Sequence, residues 1–210
     1  MKAKVSILAL CACMMLSSCS FLEGLFKKKQ VTPAPPAPAA TVVIRNHMDK
    51  VKSEALKIKN AEIEQVTDAN GYDAVKVTFN SGILFATGQS DLSASSQESL
   101  RDLADVLKNN TICDVAILGF TDNMPFRGLT EEQSIEKNKE LSTDRASAVA
   151  AYLQQLGVSI DQIKNIQGMG SDDPVASNDT EEGRRQNRRV EIYLYASEAM
   201  INAAEAGTLQ

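Results

Sequence analysis

The most informative pattern in this chain is an apolar stripe with a charge inside it. If residues 138–157 are helical, Leu141, Val149, Tyr152, Leu153 and Leu156 fall on one face. Arg145 lies midway along that stripe, four residues after Leu141 and four before Val149, and Asn138 lies two turns earlier on the same face. Burying a guanidinium is costly unless an anion answers it. Asp122, where the apolar run Val115–Leu118 gives way to Gly119-Phe120-Thr121-Asp122-Asn123, is the nearest candidate. A structural ion pair, or an arginine that snorkels to solvent, satisfies the same pattern.

The rest of the chain alternates between strand and helix periods. Met48, Val51, Ala55 and Ile58 predict a polar helical segment over 42–61. Two β-like runs around Asn70-Gly71, the second alternating Val75, Val77 and Phe79, predict a hairpin. Ser93 or Ser95 caps a helix with Leu100, Leu103, Ala104 and Leu107 at helical spacing. Strand Val115–Leu118 follows, then the long helix closed by Gly157, a strand at 163–167, and a turn-rich stretch from Gly168 to Asn178. Val190, Ile192 and Leu194 alternate along a last strand, and 197–210 forms a terminal helix or a tail. The order β-β-α-β-α-β-β predicts an α+β fold, a mixed β-sheet with helices packed on one face, within a domain spanning 62–196.

The N-terminus reads as an export signal. Lys2 and Lys4 precede an apolar core from Val5 to Leu16, too short to span a bilayer. Leu16-Ser17-Ser18-Cys19 resembles a bacterial lipobox, which implies cleavage after residue 18 and acylation of Cys19. More than one acyl chain anchors a protein stably in a lipid bilayer. Residues 19–41, with Pro33, Pro35, Pro36 and Pro38 among alanines, then serve as a spacer of polyproline character.

Charge and cysteine content narrow the chemistry. Loss of residues 1–18 removes two lysines and no acid, so 20 basic residues face 27 acidic ones and the balance moves from −5 to −7. That excludes nucleic-acid binding by bulk charge, so the clustered Arg184, Arg185, Arg188 and Arg189 are not read as a nucleic-acid patch. Cys113 alone remains as a free thiol, inside an apolar run, and reads as a buried hydrophobe. His47 is the single histidine and has no metal-ligand company. No cofactor or metal site is expected.

Three separated pieces carry a resemblance. They are Gly119-Phe120-Thr121-Asp122-Asn123, then Asn138-x-x-Leu141-Ser142-x-x-Arg145-Ala146, then Glu182-Gly183-Arg184-Arg185-Gln186-Asn187-Arg188-Arg189-Val190-Glu191. With Ile83-Leu84-Phe85 leading to Asp91-Leu92, they resemble the OmpA-like peptidoglycan-binding domain of OmpA C-terminal regions, Pal lipoproteins and MotB-type stator proteins. The resemblance runs from about Gly82 to Leu194 and implies an OmpA-like βαβαβ arrangement. It also implies a non-enzymatic function, the non-covalent binding of peptidoglycan through the diaminopimelate of its stem peptide. Asp122 would then take the ligand ammonium and Arg145 its carboxylate, with Asn138 and Arg188 as further contacts. Together with the lipobox, it implies an outer-membrane lipoprotein whose domain faces the periplasm and tethers the envelope to the wall. Ser20 after the cysteine agrees with that sorting by analogy.

Two departures stand out. Residues 124–137 are longer than the family's usual short turn, and Thr130-x-x-Gln133 would cap an earlier start to the long helix. Gly88 stands where many members carry Asn or Asp. The longer stretch keeps open a role in docking other envelope proteins. A wall hydrolase is the remaining alternative, using Asp122 with Asp144 or Glu140, but the chain has no zinc spacing, nucleophile elbow or Cys–His arrangement.

Overall fold

A computed structural model describes residues 38–209. The signal at 1–18, the acylation site Cys19 and the spacer up to residue 37 lie outside the described residues. The first element, α1 (Pro38–Ala55), starts and ends earlier than the predicted segment over 42–61. Proline is at home in a first turn, where its missing N–H would have had no partner. Ile44, Met48, Val51 and Ala55 are buried along α1, and Ile58 is buried from the turn that follows.

Five strands make one sheet in the order β1-β2-β5-β3-β4. β1 (Ala61–Thr67) and β2 (Asp73–Asn80) form the predicted hairpin. Gly71 takes a positive φ of 86° in its turn, and the Asp68 carboxylate accepts hydrogen bonds from the Asn70 and Tyr72 N–H groups. β5 (Arg189–Ala196) runs antiparallel to β2 and to β3 (Cys113–Gly119), while β4 (Ile163–Gly168) is parallel to β3. Two short helices were not legible as helices: α2 (Ser81–Leu84), and α5 (Glu181–Asn187) in the stretch between the last two strands. Neither carries an apolar stripe. The cap of α5 is nonetheless written in the chain, because the Thr180 hydroxyl accepts from the Gly183 N–H.

The helices α3 (Ser96–Asn109), α4 (Glu131–Gln155) and α6 (Glu198–Glu205) share one core with α1. The alternate positions Val75, Val77, Phe79, Val115, Ile117, Ile192 and Leu194 of the sheet point into it. The stretch after 196 is therefore a docked helix: Ser197 caps it and Met200 and Ala204 are buried. α3 is held at its start by Ser93, whose hydroxyl accepts from the Ser96 N–H, while Ser95 makes no side-chain cap. α4 ends in paired bonds from Gly157 N–H to Gln154 O (2.9 Å) and Val158 N–H to Leu153 O (3.0 Å), with Gly157 at φ 91°.

α4 lies against β3 and β4 at unusually short range, and two glycines permit it. A Cβ on Gly119 would lie 2.1 Å from the Ser142 carbonyl oxygen, and one on Gly168 would lie 2.3 Å from the Thr143 nitrogen. The Ser142 hydroxyl also accepts from the Gly170 N–H at 2.8 Å. Because the obstructing atoms are helix backbone, Gly119→Ala or Gly168→Ala must push α4 outward. Each is expected to lower stability by about 1–3 kcal/mol or more in urea unfolding; an unchanged midpoint would contradict this seating. Cys113 is fully buried, and burial pushes its thiol up to about 12. It should resist alkylation at neutral pH in the folded protein and react once urea unfolds the chain.

Candidate functional site

The sheet brings the candidate residues to one end. β3 finishes at Gly119, paired with Val190 near the start of β5, and Asn80 at the end of β2 pairs with Arg189. The loop leaving β3 and the residues entering β5 therefore emerge side by side. Arg188 Nη1 meets Asp122 Oδ2 at 2.6 Å across that junction, and Arg188 Nη2 meets Glu181 Oε1 at 2.7 Å. Asp122 is 8% exposed, and its other oxygen accepts from the Met124 N–H at 3.1 Å.

α4 supplies the facing wall. Its buried stripe is polar in the first half, with Ser134, Asn138, Ser142 and Arg145, and apolar in the second, with Ala146, Val149, Ala150 and Leu153. A capping box between Thr130 and Gln133 starts the helix, so residues 131–137 add turns ahead of the resemblance-bearing segment. The preceding loop folds back on those turns. Phe126 N–H donates to the Ser134 hydroxyl, and the Asn138 amide donates to the Met124 carbonyl at 3.3 Å. The longer stretch thus both lengthens α4 and walls the site.

Between these walls lies a cleft of about 480 Å³. Asp122, Asn138, Arg145 and Arg188 all line it, so the fold brings together the four residues singled out from sequence. Arg145 is 4% exposed; its Nε donates to the Gln89 carbonyl at 3.0 Å and its guanidinium lies 5.2 Å from the Phe85 ring centroid. Among the described residues no carboxylate lies within ion-pair distance of it. Burial lowers its pKa, the positive charge of Arg188 lowers it further, and Asp122 acts in the opposite direction. For Arg188, burial also pulls downward, but the hydrogen bonds it donates to Asp122 and Glu181 outweigh it and leave the pKa raised. Glu181 is held below the usual carboxylate range by its bonds to Arg188 and Arg184.

Sequence reasoning missed several lining residues. Phe85, Met124 and Phe126 give the cleft apolar surface, and Glu181 clamps Arg188. Glu181 and Arg188 are seven residues apart, one helical face, which was the available signal. Gly88 also lines the cleft and presents no side chain there. Beneath, on the sheet face away from the helices, Arg189 stacks 3.7 Å from the Phe120 ring centroid and bonds Glu191 at 2.7 Å. The Tyr193 hydroxyl closes the network on Glu191 at 2.6 Å. Arg189 also donates to the Asp173 carbonyl, tying the loop after β4 to β5.

Comparison with known proteins accords with this geometry. A model of the OmpA family matches residues 84–188, which hold all four residues. The chain belongs to the OmpA family. It is 40% identical to the peptidoglycan-binding protein ArfA of Mycobacterium tuberculosis over 121 residues, 58% of this chain and 34% of that protein. It is 34% identical to the probable lipoprotein YiaD of Escherichia coli over 122 residues, 58% of this chain and 52% of that one. The match therefore spans about a third to a half of these relatives. Among solved structures, the cell wall anchor of the T6SS from Pseudomonas aeruginosa superposes with a TM-score of 0.57 at 28% identity, over 73% of this chain and 99% of that one. A putative MotB-like protein from Desulfovibrio vulgaris shares the fold, with a TM-score of 0.62 at 24% identity over 76% and 97%.

Within this OmpA-family domain the Arg189–Glu191 pair is buried, and removing one partner leaves an uncompensated charge. Glu191→Ala should destabilise the fold by about 3–5 kcal/mol in urea unfolding, whereas Glu181→Ala, which removes a solvent-screened contact at the rim, should leave the unfolding midpoint nearly unchanged. Equal effects of Glu191→Ala and Glu181→Ala would contradict this division of roles.

Proposed function

We propose that this protein binds peptidoglycan non-covalently and acts as a tether, without cutting the polymer. The ligand is the diaminopimelate of the stem peptide, whose free end carries one ammonium and one carboxylate close together. The observation that carries the reading is that Asp122 and Arg145 line one cleft, with the guanidinium buried and no carboxylate partner on it among the described residues. A carboxylate offers about four lone-pair sites, so Asp122 can accept an ammonium while keeping Arg188 and the Met124 N–H. Arg145 has spent only its Nε, and its terminal N–H groups form the fork that a carboxylate fits. Asn138 and Arg188 complete the contacts. Family membership and the peptidoglycan-binding relative support the same reading.

The anchor is the other half of the proposal. Acylated Cys19 sits in the outer membrane, the Pro/Ala-rich stretch spans outward, and the domain faces the periplasm.

Sedimentation with purified peptidoglycan tests the grip. Losing one partner of a desolvated charge contact costs about 2–5 kcal/mol, so Arg145→Ala and Asp122→Ala should each lose retention by about 30-fold or more. Retention unchanged in both variants, with both folded, would overturn the assignment. Release of soluble muropeptides by the unaltered protein would overturn the non-enzymatic reading. With residues 1–18 replaced by an ordinary cleaved export signal, Cys19→Ala should move the protein from the membrane to the soluble fraction; continued membrane association of that variant would sink the lipid anchor.

A further inference from the structure

The cleft holds two buried or half-buried guanidiniums, Arg145 and Arg188, but only one carboxylate in its interior, Asp122. Asp122 is bonded to Arg188 alone among the arginines, and Glu181 reaches Arg188 from the rim. Arg145 shares the cleft with that second guanidinium, whose charge adds to burial in lowering its pKa while Asp122 acts against both. Its partners are a backbone carbonyl and the face of Phe85, neither of which carries a full negative charge. Both carboxylates of the cleft are thus spent on Arg188, and Arg145 keeps a buried charge that no carboxylate among the described residues pairs.

We propose that this charge makes the site selective for stem peptides whose diaminopimelate carboxylate is free, and that it rejects those carrying the carboxamide. The inference rests on the reading that diaminopimelate occupies the cleft. A carboxylate neutralises Arg145 and relieves its repulsion with Arg188. A carboxamide has nearly the same shape but no net charge, and its NH₂ group presents donors to guanidinium donors. One carbonyl oxygen then replaces a bidentate, charge-assisted contact. The ammonium contact at Asp122 is unchanged between the two ligands, so the difference isolates the arginine side of the site.

Calorimetric titration of the full chain with two synthetic tripeptides tests it: L-alanyl-γ-D-glutamyl-meso-diaminopimelate and the same peptide with its side-chain carboxylate amidated. The amidated peptide should bind about 30-fold more weakly or worse, the loss expected when one partner of a desolvated charge pair is removed. Arg188→Ala should shrink that ratio, since the like charge that penalises an unneutralised Arg145 is gone. Equal affinity for the two peptides would overturn the selectivity and leave the peptidoglycan reading standing. Binding of neither peptide would overturn both. A ratio unchanged in the Arg188 variant would overturn the role given to the second guanidinium.

Discussion

A guanidinium held out of water in a cleft, with no carboxylate within ion-pair distance among the described residues, is the arrangement around which this domain is organised. Desolvation and the like charge of Arg188 both act against Arg145, and Asp122 offsets them only in part. The cost is offset along the same helix, where Ala146, Val149, Ala150 and Leu153 fill the core in the turns immediately after Arg145. The helix is in turn fixed one turn earlier, where Gly119 and Gly168 let the Ser142 and Thr143 backbone approach the sheet. Apolar packing behind and backbone contact below leave the side chain little freedom to withdraw. Local strain of this kind is tolerated where the surrounding structure over-determines it, commonly at binding sites.

Strand order does the remaining positioning. Because β5 runs antiparallel to both neighbours, the end of β3, the end of β2 and the start of β5 lie at one end of the sheet. Asp122 and Arg188, 66 residues apart in the chain, meet there. The buried Arg189–Glu191–Tyr193 network stiffens the base of that junction, and Arg189 also holds the loop after β4 through Asp173. Adjacent arginines thus have separate tasks: Arg189 faces the interior of the sheet layer, and Arg188 faces the cleft.

Much of this was legible in the chain because it follows from periodicity. The off-pattern Arg145, the Asn138 two turns before it, the Gly157 stop and the Thr130-x-x-Gln133 start all appear where helical spacing puts them. Other features were not, each for a physical reason. α5 is too short and too charged to show an apolar face, though Thr180 marks its start. α1 extends back to Pro38, a residue the proline count had assigned to the spacer. The Asp122–Arg188 bond depends on strand pairing, which local pattern does not specify, so Asp122 was read as the nearest anion to Arg145 and is found with its two oxygens on Arg188 and the Met124 N–H. The cleft wall of Met124 and Phe126 depends on how a long connection folds back, which its length signalled and its path did not.

The account stands on opposite charges of one ligand meeting Asp122 and Arg145 at the same time, and a crystal structure with free meso-diaminopimelate tests that most directly. The ligand should occupy the cleft with an ammonium within hydrogen-bond distance of the Asp122 carboxylate and a carboxylate on the Arg145 guanidinium. Ligand density elsewhere on the domain, or in the cleft with Arg145 left unanswered, would contradict it.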